Sequence, residues 1–170
     1  MPFRFQPFAL VVLAAALLFS APALAAVEIG DGPAFSLVDA GGNEVTLKSF
    51  RGKVVVLDFT ASWCTICRKA LPELDAFARR YADRGVVLVT VAVDADRKDA
   101  DRFLAEVVPD RAMTVLYDPS GKTLARFGAA GMPAHYVLDR GGIVRFTGSG
   151  FPPDRMKILD IAVNGLLPAP

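Results

Sequence analysis

Both cysteines of the 170-residue chain lie three positions apart, as Cys64 and Cys67. Two thiols at this spacing reach each other as a disulfide at the start of a helix, where the positive end of the helix dipole favours an ionised sulfur. A free cysteine has a pKa near ~8.5, and a C-x-x-C arrangement at a helix N-terminus lowers that pKa by roughly 1 to 5 units. The pair therefore predicts a thiolate that attacks disulfides at neutral pH.

The segments on either side of the cysteines are predicted to hold them in place. A valine-rich run over residues 53–59 predicts a buried strand, and apolar residues that recur every three or four positions predict an amphipathic helix over residues 67–83. A dithiol between such a strand and helix is typical of redox-active proteins. A structural disulfide is the alternative, but closing so short a loop removes little chain entropy.

Two further motifs give the chain a resemblance to a known family. The segment from Asp58 to Cys67, followed by Pro72, resembles the active site of thioredoxin. Residues 33–53 resemble the leader of extracytoplasmic thioredoxin-like proteins of the TlpA/ResA type. Residues 131–133 resemble that family's Gly-x-Pro turn, whose proline is cis and faces the dithiol. The resemblance covers nearly all of the chain after about residue 27 and implies a thiol–disulfide oxidoreductase.

The order of the other predicted elements agrees with this resemblance. Strands are predicted over residues 85–93, 114–117, 134–138 and 143–147, and helices over residues 96–108, 122–127 and 153–166. Parallel crossovers followed by an antiparallel hairpin allow helices on both faces of one sheet. We expect an α/β fold, namely a thioredoxin-like three-layer sandwich with a central mixed sheet, helices on both faces and an extra N-terminal β-hairpin over residues 34–48.

The first 25 residues form a separate segment. Arg4 gives a weakly positive start, residues 9–19 are an unbroken apolar run, and residues 23–25 are an Ala-Leu-Ala cleavage site. This pattern predicts a secretory signal peptide over residues 1–25 and therefore a periplasmic or otherwise extracytoplasmic protein. The alternative is an uncleaved N-terminal anchor, although the apolar run is short for a bilayer span.

The composition of residues 26–170 is that of one globular domain. Apart from Arg4, basic and acidic side chains are equal in number, so the chain has no excess of positive charge of the kind that binds nucleic acid. This length is enough for a single hydrophobic core. We therefore expect one thioredoxin-like domain that is monomeric and does not bind nucleic acid.

Three residues are predicted to carry the chemistry. Cys64, at the outer edge of the turn, is the expected attacking thiolate, and Cys67, one turn deeper, is expected to resolve the mixed disulfide with the substrate. Burial of Asp58 in a valine-rich strand should raise its pKa, which suits a base that takes the proton of Cys67. The buried acid of thioredoxin occupies the matching position, whereas the alternative is a solvated Asp58. No cofactor is expected beyond the redox-active Cys64–Cys67 disulfide.

Three more residues are predicted to bind the substrate. Trp63 would offer an apolar contact beside the sulfur of Cys64, or alternatively pack half-buried. The cis bond that the resemblance implies before Pro133 would turn the main chain of Met132 toward the dithiol, where it could pair with an extended substrate strand. The sole histidine, His135, could tune the thiolate, but a lone histidine beside a turn is more often a surface or packed residue.

The favoured function is that of an extracytoplasmic reductant that exchanges disulfides with protein clients, of the cytochrome c maturation or copper-site assembly type, and that a membrane electron donor recharges. The alternative is a copper-binding metallochaperone, because the thiolates of Cys64 and Cys67 and the imidazole of His135 suit Cu(I). A peroxidase ranks third, because residues 60–64 do not reproduce a peroxiredoxin site. A structural role without redox cycling predicts that Cys64→Ser leaves function intact.

Overall fold

Seven strands and four α-helices follow one another along residues 26–168, which are the residues that the computed structural model describes. The predicted signal peptide lies outside these residues. The strands are β1 (Ser36–Asp39), β2 (Glu44–Thr46), β3 (Val54–Thr60), β4 (Val86–Ala92), β5 (Thr114–Tyr117), β6 (Ala134–Leu138) and β7 (Val144–Ser149). The helices are α1 (Thr65–Tyr81), α2 (Arg97–Val107), α3 (Lys122–Phe127) and α4 (Arg155–Asn164). Within this range, no helix has both the length and the apolar character needed to span a bilayer.

All seven strands form one mixed sheet in the order β2-β1-β5-β4-β3-β6-β7. The pairs β3–β4 and β4–β5 are parallel, whereas β3–β6, β6–β7, β1–β5 and β1–β2 are antiparallel. The predicted N-terminal hairpin is therefore present, as β1 and β2 at one edge. It spans 36–46 rather than 34–48, because a 3₁₀ helix begins at Leu47 directly after β2. The Asp39 carboxylate accepts hydrogen bonds from the main-chain N–H groups of Gly41 and Asn43 and closes the loop between the two strands.

Two apolar layers cover the two faces of this sheet. Alternation along β3 sends Val54 and Val56 to one face and Leu57 and Phe59 to the other. The first layer packs beneath α1, α2 and α4 and contains Cys67, so we call it the dithiol face. The second contains Phe59 and the buried side of α3, and we call it the aromatic face. This arrangement confirms the predicted three-layer sandwich with helices on both faces.

The ends of α1 and α4 differ from the predictions by about two residues, those of α2 differ by one, and those of α3 agree. α1 begins at Thr65 rather than 67 because Cys64 caps its N-terminus. It ends at Tyr81, after which a 3₁₀ turn leads to Gly85, whose φ of 80° suits glycine. The last helix begins at Arg155 rather than 153, after a turn. None of these differences moves the dithiol away from the junction between β3 and α1.

Candidate active site

The two cysteines stand at the N-terminus of α1 with unequal access to solvent. Cys64 is the capping residue, and its sulfur accepts a hydrogen bond from the main-chain N–H of Cys67 with an N–S distance of 3.1 Å. The two sulfurs form a disulfide. Cys64 is 7% exposed and Cys67 is 0% exposed. Because the helix dipole and this N–H both favour negative charge on Cys64, the accessible sulfur is the one stabilised as a thiolate after reduction.

A buried carboxylate holds the turn that leads into Cys64. The main-chain N–H of Ser62 donates to both oxygens of Asp94, at 3.1 and 3.2 Å, and the Ser62 hydroxyl donates to Oδ1 at 2.5 Å. Asp94 follows β4, whose parallel neighbour β3 ends at the same edge of the sheet. The sequence analysis predicted only a strand over residues 85–93 and missed this contact. An acidic residue directly after a buried parallel strand was the available signal.

An apolar groove of about 520 Å³ runs beside the disulfide. Its lining includes Trp63 and Met132, which the sequence analysis assigned to substrate binding, together with residues that it did not assign. Trp63 is 69% exposed, so the alternative of a half-buried packing residue is wrong. The groove is lined by Trp63, Cys64, Thr65, Ile66, Leu124, Ala129, Gly131 and Met132. Leu124 and Ala129 come from α3 and the loop after it, and no local sequence pattern relates them to the cysteines.

The turn before β6 completes this side of the site. The peptide bond between Met132 and Pro133 is cis, as the resemblance implied. The carbonyl of Pro133 accepts a hydrogen bond from the N–H of Gly150 at 2.8 Å, which ties the turn to the end of β7. Among residues 26–168, the N–H and C=O of Met132 hydrogen-bond to no other protein group. The main chain of Met132, which lines the groove, is therefore free to pair with another chain.

Asp58 and His135 form a buried contact on the dithiol face of the sheet. Both side chains are fully buried, and Nδ1 of His135 lies 3.2 Å from Oδ1 of Asp58, close enough for an ion pair without the alignment of a hydrogen bond. The solvated alternative for Asp58 is therefore wrong. Burial raises the pKa of Asp58 above its ordinary value, and the contact with His135 only partly offsets this. His135 is a packed residue rather than a surface one.

The placement of His135 removes the ligand set on which the copper alternative depended. Nδ1 of His135 faces Asp58 rather than the two sulfurs. Within the described part of the chain, no three or more His, Cys, Asp or Glu side chains gather in an arrangement that could hold a metal ion. The geometry thus favours a dithiol that exchanges disulfides over one that shares a metal with an imidazole.

Comparison with known proteins agrees with this thioredoxin-like dithiol site. Residues 28–162 match the family model described as Redoxin, and the chain therefore belongs to the Redoxin family. It is 31% identical over 121 residues to the thiol-disulfide oxidoreductase ResA of Bacillus thuringiensis subsp. konkukian, an alignment that covers 69% of this chain and 68% of that protein.

Two solved structures extend the similarity to three dimensions. A putative thiol:disulfide interchange protein DsbE from Chlorobium tepidum has a TM-score of 0.77 and 36% identity, covering 83% of this chain and 99% of that one. The exposed lipoprotein thioredoxin of Streptococcus pneumoniae has a TM-score of 0.65 and 30% identity, covering 76% of this chain and 98% of that one. Together these comparisons confirm the predicted TlpA/ResA-type relationship and thiol–disulfide oxidoreductase function.

Proposed function

We propose that this protein is an extracytoplasmic reductant of protein disulfides, of the type that serves cytochrome c maturation or copper-site assembly, and that a membrane electron donor recharges it. One observation carries the exchange chemistry: Cys64 caps α1, is 7% exposed and lines the groove, and is bonded to a fully buried Cys67. The signal peptide predicted over residues 1–25 supports the location, as does similarity to a protein named an exposed lipoprotein thioredoxin.

The first half of the reaction uses the start of α1. The Cys64 thiolate, stabilised by the N–H of Cys67, attacks one sulfur of the client disulfide. A bond forms between Cys64 and that sulfur, the client disulfide breaks, and the displaced client sulfur takes a proton from solvent. The product is a mixed disulfide on the exposed side of the site.

The second half releases the reduced client. Cys67 gives its proton to Asp58, and the resulting thiolate attacks the sulfur of Cys64. The Cys64–Cys67 disulfide forms as the bond between Cys64 and the client breaks, and the client leaves as a thiolate that takes a proton from solvent. Two electrons have then passed from the dithiol to the client, and the membrane donor returns two to the disulfide.

The groove beside Cys64 suits an extended client segment with apolar side chains next to its cysteine. Trp63 and Ile66 are exposed on one side of the groove, and Met132 lies on the other. The unpaired N–H and C=O of Met132 can add the client as a short strand, with Pro133 holding this turn against the dithiol. This assigns substrate binding to Trp63, Met132 and Pro133 and adds Ile66, Leu124 and Ala129.

Trapping tests the exchange scheme directly. Cys67→Ser should leave the attack by Cys64 intact and hold clients as mixed disulfides, which are recovered from the periplasm and released by a reductant. Cys64→Ser is the matched control and should trap nothing. Recovery of the same proteins with both variants, or of none under conditions where the unsubstituted protein is active, would contradict the scheme.

The direction of transfer needs a separate measurement. A reductant should be found mainly as the dithiol in growing cells and should become the disulfide when the membrane donor is deleted. Thiol alkylation followed by gel electrophoresis reports the two forms. A protein that stays in the disulfide form in cells with an intact donor would be a net oxidant, and the proposed direction would be wrong.

A further inference from the structure

Three adjacent central strands place polar residues side by side at one level of the sheet. Asp58 on β3 pairs in register with Thr90 on β4 and with His135 on β6. Residues directly opposite each other in a sheet project from the same face. Because Val56 and Val137, two positions away on their strands, belong to the layer that contains Cys67, these three side chains also lie on the dithiol face.

These side chains belong to a buried polar cluster on the dithiol face. We define it as Asp58, Thr60, Thr90 and His135, all of which are fully buried. Among residues 26–168, none of their side-chain nitrogen or oxygen atoms has a hydrogen-bond partner, and the contact between Asp58 and His135 is the one close polar approach in the cluster. Buried polar groups left in this state cost stability, and where they lie beneath a reactive group they indicate a functional role.

We propose that His135 is a positioning residue for the second half of the exchange: its Nδ1 holds the Asp58 carboxylate in the ionised form on the face of the sheet that carries Cys67. This rests on the proposed exchange of disulfides by Cys64 and Cys67. An imidazole N–H beside a buried carboxylate offsets the charge that burial disfavours. Asp58 is then able to accept a proton at a pH where an isolated buried carboxyl group would already hold one.

The proton balance of the step is simple. The Cys67 thiol gives its proton to Asp58, the Cys67 thiolate displaces the client sulfur from Cys64, and the client thiolate takes a proton from solvent. Asp58 then returns its proton to solvent before the next cycle. In this step His135 acts through Asp58 and exchanges no proton with the reacting sulfurs.

Elements on several sides pack around the Asp58–His135 pair. From β4 the neighbour is Thr90, which does not titrate, and α1 contributes Cys67 to the apolar layer on the same face. Beyond His135, Gly148 of β7 is its register partner, and the buried guanidinium of Arg155 at the start of α4 fills the space where a Gly148 side chain would lie. Arg155 donates to the carbonyl of Ser149 at 2.8 Å.

A reaction with two measurable phases separates the displacement by Cys67, in which we expect His135 to take part, from the first attack by Cys64, in which we do not. Dithiobis(nitrobenzoate), a small disulfide, releases one coloured thiolate when Cys64 attacks it and a second when Cys67 displaces the half left on Cys64. We expect His135→Asn to slow the second phase about ten-fold at pH 7, because each unit by which the pKa of a base rises leaves about ten-fold less of its ionised form. At pH 9, where Cys67 ionises without help, the second phase should lie within about two-fold of that of the unsubstituted protein.

Two control variants define what would overturn the proposal. Tyr136→Phe removes a buried hydroxyl from the same strand on the aromatic face and should leave both phases unchanged. In an Asp58→Asn background, His135→Asn should have no further effect on the second phase. A loss that is equal at pH 7 and pH 9, or that persists in the Asp58→Asn background, would make His135 a packing residue. Absence of the first phase from the unsubstituted protein would contradict the proposed function instead.

A measurement on the unsubstituted protein covers the case in which His135→Asn fails to fold. His135 is the only histidine of the chain, so its imidazole nitrogens give unique NMR signals. In the reduced protein these signals should change over the same pH range as the rate of the second phase, because the ionisation of Asp58 alters the charge next to Nδ1. Imidazole signals that stay constant across that range would overturn the proposal.

Discussion

The same two strands, β3 and β6, build two different interiors on the two faces of the sheet. On the aromatic face, the rings of Phe59, Phe127 and Tyr136 contact one another with centroid distances of 4.9 to 6.1 Å. The one hydroxyl among them is satisfied, because Tyr136 donates to the carbonyl of Phe127 at 2.8 Å. On the dithiol face, Asp58 and His135 are buried with only each other as polar partners.

This difference separates stability from chemistry within a single sheet. Interlocking aromatic rings with satisfied polar atoms contribute to the free energy of folding and hold β3 and β6 in register. An ionisable pair without further hydrogen bonds contributes little to folding. In the proposed mechanism, its role is instead to exchange a proton with Cys67. Substitutions on the two faces should therefore have separable effects, and the following predictions test that separation.

The largest effect on stability is expected on the aromatic face. Phe59→Ala removes a fully buried ring that contacts both Phe127 and Tyr136 and should lower the free energy of unfolding by about 3–5 kcal/mol. Denaturant titration measures this loss. Both phases of the reaction with dithiobis(nitrobenzoate) should keep their rates at temperatures where the variant is folded. A second phase that slowed in proportion to the lost stability would show that the two faces are not independent.

On the dithiol face, Asp58→Asn should separate activity from stability. The second phase should slow about 100-fold at pH 7, because a base in proton transfer contributes that much or more. The raised pKa of Asp58 means that the folded protein binds this proton more tightly than the unfolded chain does. The free energy of unfolding therefore falls as pH rises from the ordinary pKa of 3.8 toward the raised one.

Asparagine does not ionise, so in Asp58→Asn the free energy of unfolding should no longer show the decrease with rising pH that Asp58 causes. Its stability relative to the unsubstituted protein should therefore be greater at pH 8 than at pH 5. Thermal unfolding of the reduced proteins at both pH values measures the difference. A stability difference that does not change with pH would mean that Asp58 titrates normally in the folded state.

The burial of Asp58 could be predicted from sequence, whereas its partner could not. A carboxylate within a valine-rich run is a local signal, and so are the two cysteines at the start of an amphipathic helix. His135 comes to lie opposite Asp58 through the register between β3 and β6, which are separated by two crossovers along the chain. No local periodicity specifies such a register, because it depends on how the intervening helices pack.

The turn before Cys64 and the groove also depend on contacts between distant parts of the chain, which local sequence patterns do not specify. Asp94 reaches Ser62 because parallel strands bring their carboxyl ends to one edge, and that follows only once the pairing of β3 with β4 is known. Leu124 reaches the groove through the position of α3 after the last parallel crossover. Cis geometry at Pro133 came from a family resemblance rather than from local sequence, since only about 5–6% of X-Pro bonds are cis.

A smaller effect on stability is expected at Asp94, which links the carboxyl ends of β3 and β4 through Ser62. Asp94→Ala removes the acceptor for both Ser62 donors and should lower stability by about 2 kcal/mol. Because Ser62 positions the turn before Cys64, the first phase should also slow, by about five-fold. Asp94→Asn keeps one acceptor oxygen and should restore most of both losses. Equal first-phase rates in all three proteins would show that Ser62 does not position Cys64.

The smallest effect on stability is expected at the exposed rim of the groove. Trp63 is 69% exposed, so Trp63→Ala should change the free energy of unfolding by less than about 0.5 kcal/mol. If Trp63 contacts clients, the same variant should raise KM for a trapped protein client about ten-fold, as loss of an aromatic anchor does at interfaces, while kcat stays within about two-fold.

Ile161 provides a matched control for this last variant, because it is 65% exposed on α4 and does not line the groove. Ile161→Ala should change neither KM nor stability. Dithiobis(nitrobenzoate) is too small to fill the groove, so its first phase should be the same in both variants. A KM that rises equally in both would trace client binding to general surface hydrophobicity, whereas a rise with Trp63→Ala alone assigns client binding to the groove beside Cys64. The aromatic ring that matters for function is then the exposed one, while the buried rings of the aromatic face serve the fold.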